Sequence, residues 1–292
     1  MPANALPQGV LSVHALPADH HDGPWDHILV PPGTKERLLA TALLTLRHGH
    51  RLATLPGLPH GLVVLAGPPG TGKTTLARGL TQAAARALAP HGATTYAEID
   101  PHAFPSEMLG ESQRAVTRLM LGTVPELAAR RPHTVVLVDE VESLAVRRST
   151  ASFETNPVDV HRATDALLAG IDAVATQHPG VLFVTTTNFP QAIDEAFLSR
   201  ADLVLHVPLP DEQTVAAIVR ASLHELAALW PALRPLAADD SLPAEVAVRC
   251  AGWDGRRVRK LVLAALASRL EVALDPGQLT ADDLLAAVEA AA

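Results

Sequence analysis

The stretch that most constrains this chain is Gly67-Pro68-Pro69-Gly70-Thr71-Gly72-Lys73-Thr74. Before it runs Leu62-Val63-Val64-Leu65-Ala66, a short apolar segment that reads as a buried parallel strand stopped by Gly67. After it, Leu76, Leu80 and Ala84 recur at helical spacing until Pro90 ends the run. Strand, glycine-rich turn and helix in immediate succession have few physical solutions. Glycines let backbone N–H groups turn inward around an anion, and the helix N-terminus adds unpaired donors and partial positive charge. The spacing GxxxxGK[ST] in this setting is that of a phosphate-binding loop. The expected nucleotide-binding residues are Gly67, Pro68, Pro69, Gly70, Thr71, Gly72, Lys73, Thr74 and Thr75. Lys73 would bridge the β- and γ-phosphates, and the Thr74 hydroxyl would hold Mg²⁺.

Further along, apolar strand candidates alternate with helical patterns. Strands are expected near Thr95 to Ile99, Val135 to Val138, Val181 to Thr186 and Leu203 to Val207, with helices near Gln113 to Arg131 and Val158 to Ala175. With the first run this predicts an α/β fold: a five-stranded parallel sheet sandwiched by helices, its ligands at the strands' C-terminal ends. Two such exits carry polar groups. Val135 to Val138 runs into Asp139-Glu140; Asp139 would bind the magnesium shell directly or through water, and Glu140 would polarise an attacking water as general base. Thr185-Thr186-Thr187 ends in Asn188, a neutral amide placed to reach the γ-phosphate without adding charge, or simply a turn residue. Arg200, just before the last strand, is either a solvated charge or a guanidinium offered to a neighbouring subunit's γ-phosphate.

Beyond Pro208-Leu209-Pro210 the strand signal stops and helices separated by Pro231, Pro235, Pro243, Gly252 and Pro276-Gly277 follow. The expected division is an N-terminal arm over 1–34, a large α/β ATPase domain over 35–209 and a small helical lid over 210–292. The arm, rich in Pro, His and Gly, reads as a poorly ordered lead-in.

Composition narrows the partners. A net charge of −8 argues against a broad basic surface for nucleic acid. No apolar run is long enough to span a membrane, the start lacks a signal-peptide pattern, and the single cysteine, Cys250, excludes a disulfide framework and multi-thiolate zinc sites. The expected location is the cytoplasm. The histidines are scattered, and His20-His21 lacks the helical spacing of a metal pair.

Taken together, the phosphate loop, LVDE, TTTN, Ser199-Arg200-Ala201-Asp202 and the late GWDGRRVRK resemble an AAA+ ATPase over about residues 35–275. Within that superfamily the chain resembles the pachytene-checkpoint remodellers of HORMA-domain proteins, through VDEVESL at Val138 to Leu144, RADL at Arg200 to Leu203 and G-x-x-G-R-x-x-R-K-L at Gly252 to Leu261. The resemblance implies ATP and Mg²⁺ as cofactors, a homohexameric ring, Arg200 as a finger acting in trans and Arg256 as the sensor-two arginine, with Arg259 one turn later as a second candidate. It implies that Trp25 to Val30 lies beside the adenine, and that Pro105 to Ser112 is the first pore loop, with Met108 and Leu109 where relatives place an aromatic grip. Alternatively, Met108 and Leu109 staple the next helix. Arg147 to Pro157 would be a second pore loop, or an ordinary surface loop. The short arm resembles bacterial members tied to HORMA proteins and cyclic-oligonucleotide synthases in antiphage defence. The implied role is extraction of a HORMA protein from its nucleotidyltransferase complex, which switches signalling off.

Two other readings keep the same ATP site. A DNA-directed AAA+ protein of the clamp- or helicase-loader type would need a basic track, which the acidic balance opposes. A nucleotide-gated scaffold would be expected to lack a catalytic residue, and none is missing.

Overall fold

The structure, a computed structural model, describes residues 6–18, 25, 28–55, 57, 59–104, 110–145 and 157–291, with the backbone alone described at 157–161. The chain divides into two compact units, one of residues 1–25, 32–67 and 73–206, the other of residues 26–31, 68–72 and 207–292. The division passes through the phosphate loop: residues 68–72 group with the C-terminal helices, while Gly67 and Lys73 belong to the first unit.

The first unit is built on strands β1 (Val10–Leu16), β2 (Leu62–Ala66), β3 (Thr94–Ile99), β4 (His133–Val138), β5 (Val181–Thr187) and β6 (Leu203–His206). Their order across the sheet is β1-β3-β4-β5-β2-β6. Every residue of β2, β4 and β5 is buried, as strands covered on both faces must be, which is why they read as unbroken apolar or Thr/Val runs. One face carries Val64, Val136, Val138 and Phe183, packed with Phe104, Met120, Ile171 and Phe197. The side chains of opposite parity, including Leu65, Leu137 and Val184, are equally buried, as are Leu38, Leu46, Leu76 and Leu80 on helices. Each such burial contributes about 2 kcal/mol.

Helices α1 (Thr34–Leu52), α2 (Lys73–Leu88), α3 (Glu111–Arg118), α4 (Val124–Ala128), α5 (Pro157–Gln177) and α6 (Glu195–Leu198) complete this unit. The single helix expected from Gln113 to Arg131 is instead α3 and α4 joined by a π-helical turn over Leu119–Thr123. Gly122 weakens the helix there, and Pro125 lacks the N–H that would continue the α ladder.

The five parallel strands stand where expected, and the sheet has a sixth. Val10–Leu16, inside the arm, pairs antiparallel with β3 from Val10↔Ile99 to Leu16↔Thr94, so the sheet is mixed rather than purely parallel. The alternation in VLSVHAL suits an edge strand with one face on the core: Val10 and Leu16 are buried and Leu11 is exposed. Pro7, Gly9 and Pro17 around it hide the signal.

The second unit is helical: α7 (Glu212–Leu229), α8 (Arg234–Ala237), α9 (Ser241–Arg249), α10 (Gly255–Ala265), α11 (Leu270–Leu274) and α12 (Ala281–Ala291). Its core gathers Val219, Leu223, Val246, Cys250, Val258, Val262, Val272, Leu284 and Val288. Asp211 and Asp254 cap α7 and α10, accepting from the N–H of Thr214 at 2.8 Å and of Arg257 at 3.0 Å. Among the described residues, no helix is long and apolar enough to cross a membrane.

Candidate active site

The strand register places the reactive groups. Ala66 pairs with Thr187 and Val138 with Thr185, so β2 and β5 end level, β4 ends two residues short of them, and Asp139 emerges beside Thr186. Gly70 and Gly72 adopt φ of 76° and 89°, which other residues take only under strain. A Cβ on Gly70 would lie 2.0 Å from Asp254 Oδ1, so the loop has no room for a side chain there. Thr71 folds its hydroxyl onto the Pro68 carbonyl at 3.0 Å, which tightens the turn.

Lys73 opens α2 and is 5% exposed. Its Nζ donates to the Gly67 carbonyl and to Asn188 Oδ1, both at 2.8 Å, so a buried charge is held by neutral acceptors. Thr74 donates its hydroxyl to Asp139 Oδ1 at 2.8 Å. Thr75 follows on α2, half-buried. Asn188 spans the acid and the lysine: its Nδ2 donates to Glu140 Oε1 at 3.0 Å while Oδ1 takes the Lys73 bond. The structure therefore brings Lys73, Thr74, Asp139, Glu140 and Asn188 into one hydrogen-bonded group. A hydroxyl beside a carboxylate is a hard-oxygen pair, the donor set that suits Mg²⁺, and a glycine-rich turn with positive φ at Gly70 and Gly72 is the kind of backbone that can receive a polyphosphate.

Glu140 sits in the left-handed region at φ 55°, ψ 53°, the only non-glycine residue with positive φ among those described. Such a backbone costs about 1–3 kcal/mol and persists only where its surroundings enforce it. Thr186 bonds that backbone directly, and Glu142 and His102, to which no role was given from the sequence, stand close by. The Thr186 hydroxyl accepts the Glu140 N–H at 3.0 Å and donates to Asp139. Glu142 accepts the Asn188 N–H at 3.1 Å, and His102 Nε2 lies 3.4 Å from Glu140 Oε2. Thr186 stood in the quoted Thr185-Thr186-Thr187-Asn188 run; His102 has no local signature.

Arg200 is not in this group. It precedes β6, whose Leu203 pairs with Val63 near the start of β2, so the length of β2, roughly 16 Å at about 3.3 Å per residue, separates it from Gly67. There it forms a two-pronged ion pair with Asp172 and gives Nη1 to the Ala196 carbonyl at 2.8 Å. The guanidinium bonds hold the Asp172 carboxyl below the usual carboxylate range, and the carboxylate raises Arg200 in turn. Asp202, two residues on, accepts the N–H groups of His60 and Leu62 at 3.1 Å and so anchors the start of β2.

In the second unit, Arg256 lies in the first turn of α10, and its backbone N–H donates to the Gly70 carbonyl at 3.2 Å. Its side chain is exposed. Arg259, on the same helix, pairs with Glu225 at 3.2 Å. An apolar pocket in this unit is lined by Leu29, Val30, Thr71, Pro208, Leu209 and Ile218, among others. Trp25 does not line it: it lies against Gly79 of α2, with Lys35 Nζ 5.6 Å from its ring. Met108, Leu109 and residues 147–156 fall outside the described residues.

A phosphate loop after a buried parallel strand of a mixed sheet, with an acidic pair and a polar amide at the neighbouring strand exits, defines a P-loop nucleoside triphosphatase. Residues 63–209 match the family of ATPases associated with various cellular activities, and the chain belongs to this AAA family. It is accordingly a nucleotide-binding protein and an ATPase. It is 42% identical over 288 residues to CD-NTase-associated protein 6 of Pseudomonas aeruginosa, spanning 98% of this chain and 93% of that protein. It is 37% identical over 217 residues to a pachytene checkpoint protein 2 homolog of Oryza sativa subsp. indica, covering 73% of this chain and 45% of the relative. The chain thus spans less than half the length of that relative. Among solved structures, a chain of the E. coli MS115-1 HORMA:CdnC:Trip13 complex superposes with a TM-score of 0.75 at 20% identity, over 96% of this chain and 94% of that one, a likeness of fold.

Proposed function

We propose that this ATPase works as a ring of copies, a homohexamer, that partially unfolds or disassembles a HORMA-domain protein and thereby switches off cyclic-oligonucleotide antiphage signalling. The observation that carries the reading is the position of Arg200. The groups that would hold and cleave ATP sit at the exits of β2, β4 and β5, and the arginine suited to the γ-phosphate sits at the opposite end of the same sheet. Its distance from its own site supports a role at the site of a second copy. The similarity to CD-NTase-associated protein 6 and to a chain of the HORMA:CdnC:Trip13 complex supports the choice of substrate, a HORMA protein with its bound nucleotidyltransferase. The net charge of −8 supports a protein target over nucleic acid, and the cytoplasm is the matching location.

In this reading residues 35–209, with β1 of the arm added to their sheet, form the ATPase domain and 210–292 the lid. The loop Gly67 to Gly72 wraps the phosphates, Lys73 faces the γ-phosphate, and Thr74 with Asp139 would hold Mg²⁺, which when bound neutralises charge on the transferred group. Glu140 takes the proton of the attacking water, and Asn188 orients that water. Arg256 links the nucleotide to the lid. Met108 and Leu109 would grip substrate in the pore. A target of ordinary stability, about 5–15 kcal/mol, needs only local opening when its terminus is pulled.

The test is capture of a HORMA protein by the Glu140→Gln chain with ATP, together with phosphate release by the native chain. Nucleotide-dependent capture and stimulated release support the proposal. A chain that stays monomeric and releases no phosphate with the HORMA protein present overturns it.

A further inference from the structure

Thr186 is 1% exposed, on β5 beside the exit of β4. Its one hydroxyl proton goes to Asp139 Oδ1, the oxygen that also receives Thr74, and a lone pair of the same hydroxyl accepts the N–H of Glu140 at 3.0 Å. One buried oxygen therefore binds both members of the acidic pair, the carboxylate of the first and the backbone of the second. The second is the residue in the left-handed conformation. In that conformation the Glu140 side chain leaves the strand direction and reaches Asn188 Nδ2. Without an acceptor at 186, a part-buried N–H is left without its bond, and the backbone of Glu140 loses what holds it in a strained well.

We propose that Thr186 is a positioning residue of the ATPase reaction: its hydroxyl sets the angle between the Asp139 and Glu140 carboxylates, and turnover, rather than nucleotide binding, depends on it. The inference rests on the reading of Asp139 and Glu140 as the reactive acids. Valine at this position keeps the β-branched shape that β5 needs and removes the hydroxyl; serine keeps the hydroxyl and removes a methyl group.

The experiment compares the full chain with Thr186→Val, Thr186→Ser and Glu140→Gln. It measures kcat, KM for ATP, affinity for a fluorescent ATP analogue with Mg²⁺, and backbone hydrogen exchange over residues 139–144. Thr186→Val is expected to lose about 100-fold in kcat, the scale of a misplacement of about 1 Å, with analogue affinity within about threefold of native and faster exchange over 139–144. Thr186→Ser is expected to recover most of the rate and the native exchange. Native kcat in Thr186→Val, or a Thr186→Ser chain as slow as Thr186→Val, overturns the proposal. Should the valine chain fail to fold, Thr186→Ala against Thr186→Ser makes the same comparison. Undiminished turnover in Glu140→Gln removes the underlying site reading, whereas an inert Glu140→Gln beside a fully active Thr186→Val removes this inference alone.

Discussion

Arg200 holds Asp172 by two parallel hydrogen bonds, Nε to Oδ1 at 2.7 Å and Nη2 to Oδ2 at 2.8 Å. With Nη1 on the Ala196 carbonyl, the guanidinium is fixed on three sides and still has N–H groups to offer an anion. A long side chain that is already ordered gives up less entropy when a phosphate arrives. An arginine acting on a neighbour's γ-phosphate is worth about 10³–10⁵ in turnover. Arg200→Ala and Lys73→Ala chains are each expected to be nearly inert, while their mixtures regain activity at interfaces that pair an intact Lys73 with an intact Arg200. Phosphate release measured across mixing ratios decides the matter, and silence at every ratio rejects action in trans.

Glu140→Gln keeps the side-chain shape and an oxygen for Asn188 Nδ2 but removes the carboxylate proposed as the base. Turnover is expected to fall by about 10²–10⁴, with ATP retained and assemblies accumulating. Light scattering with and without ATP reads the assembly, and a single-turnover assay reads the chemistry. Turnover close to native would assign the base to another group.

Much of this site was legible because its residues act within a few positions of strong local patterns. The loop, the strand before it and the helix after it share one continuous stretch, and Asp139, Glu140 and Asn188 end apolar strands. β1 was not legible: its seven residues are framed by Pro7, Gly9 and Pro17, and its place depends on pairing with β3 more than seventy positions away. The Arg200–Asp172 pair joins residues 28 apart on separate elements, and the Thr186 hydroxyl acts on residues 46 and 47 positions upstream. Contacts of that kind follow from sheet order, which no local spacing encodes. The break between α3 and α4 had visible causes in Gly122 and Pro125, yet the apolar period across it was continuous.

Arg256 has an exposed side chain and a backbone N–H tied to Gly70, so its guanidinium can be removed without disturbing the core. Arg256→Ala is expected to weaken ATP binding about tenfold, the loss of one charge-assisted hydrogen bond of roughly 1.5 kcal/mol, and to leave the melting temperature unchanged. Calorimetric melting and titration with a fluorescent ATP analogue separate the two effects. Native affinity in this variant would exclude Arg256 as a nucleotide contact.

Asp283 offers a pH test of the helical unit that is independent of nucleotide. Its carboxylate is buried and accepts from Arg269 Nε at 2.7 Å, Arg269 Nη2 at 2.9 Å, the Thr280 N–H at 3.0 Å and the Thr280 hydroxyl at 2.7 Å. The Arg269 bonds, opposed by burial and aided by Thr280, hold it well below the ordinary carboxylate range. Because the folded value lies below the unfolded value of about 3.9, the unfolded chain takes up the proton first as pH falls. The stabilisation is therefore complete above about pH 5 and drains away below about pH 4, toward the depressed folded value. Asp283→Asn is expected to cost about 2 kcal/mol at neutral pH through its weakened charge-assisted bonds. The gap between native and variant chains in urea unfolding should narrow by about 1 kcal/mol between pH 6 and pH 3. A gap that stays constant or widens toward acid would mean that the charge on Asp283 does not stabilise the fold.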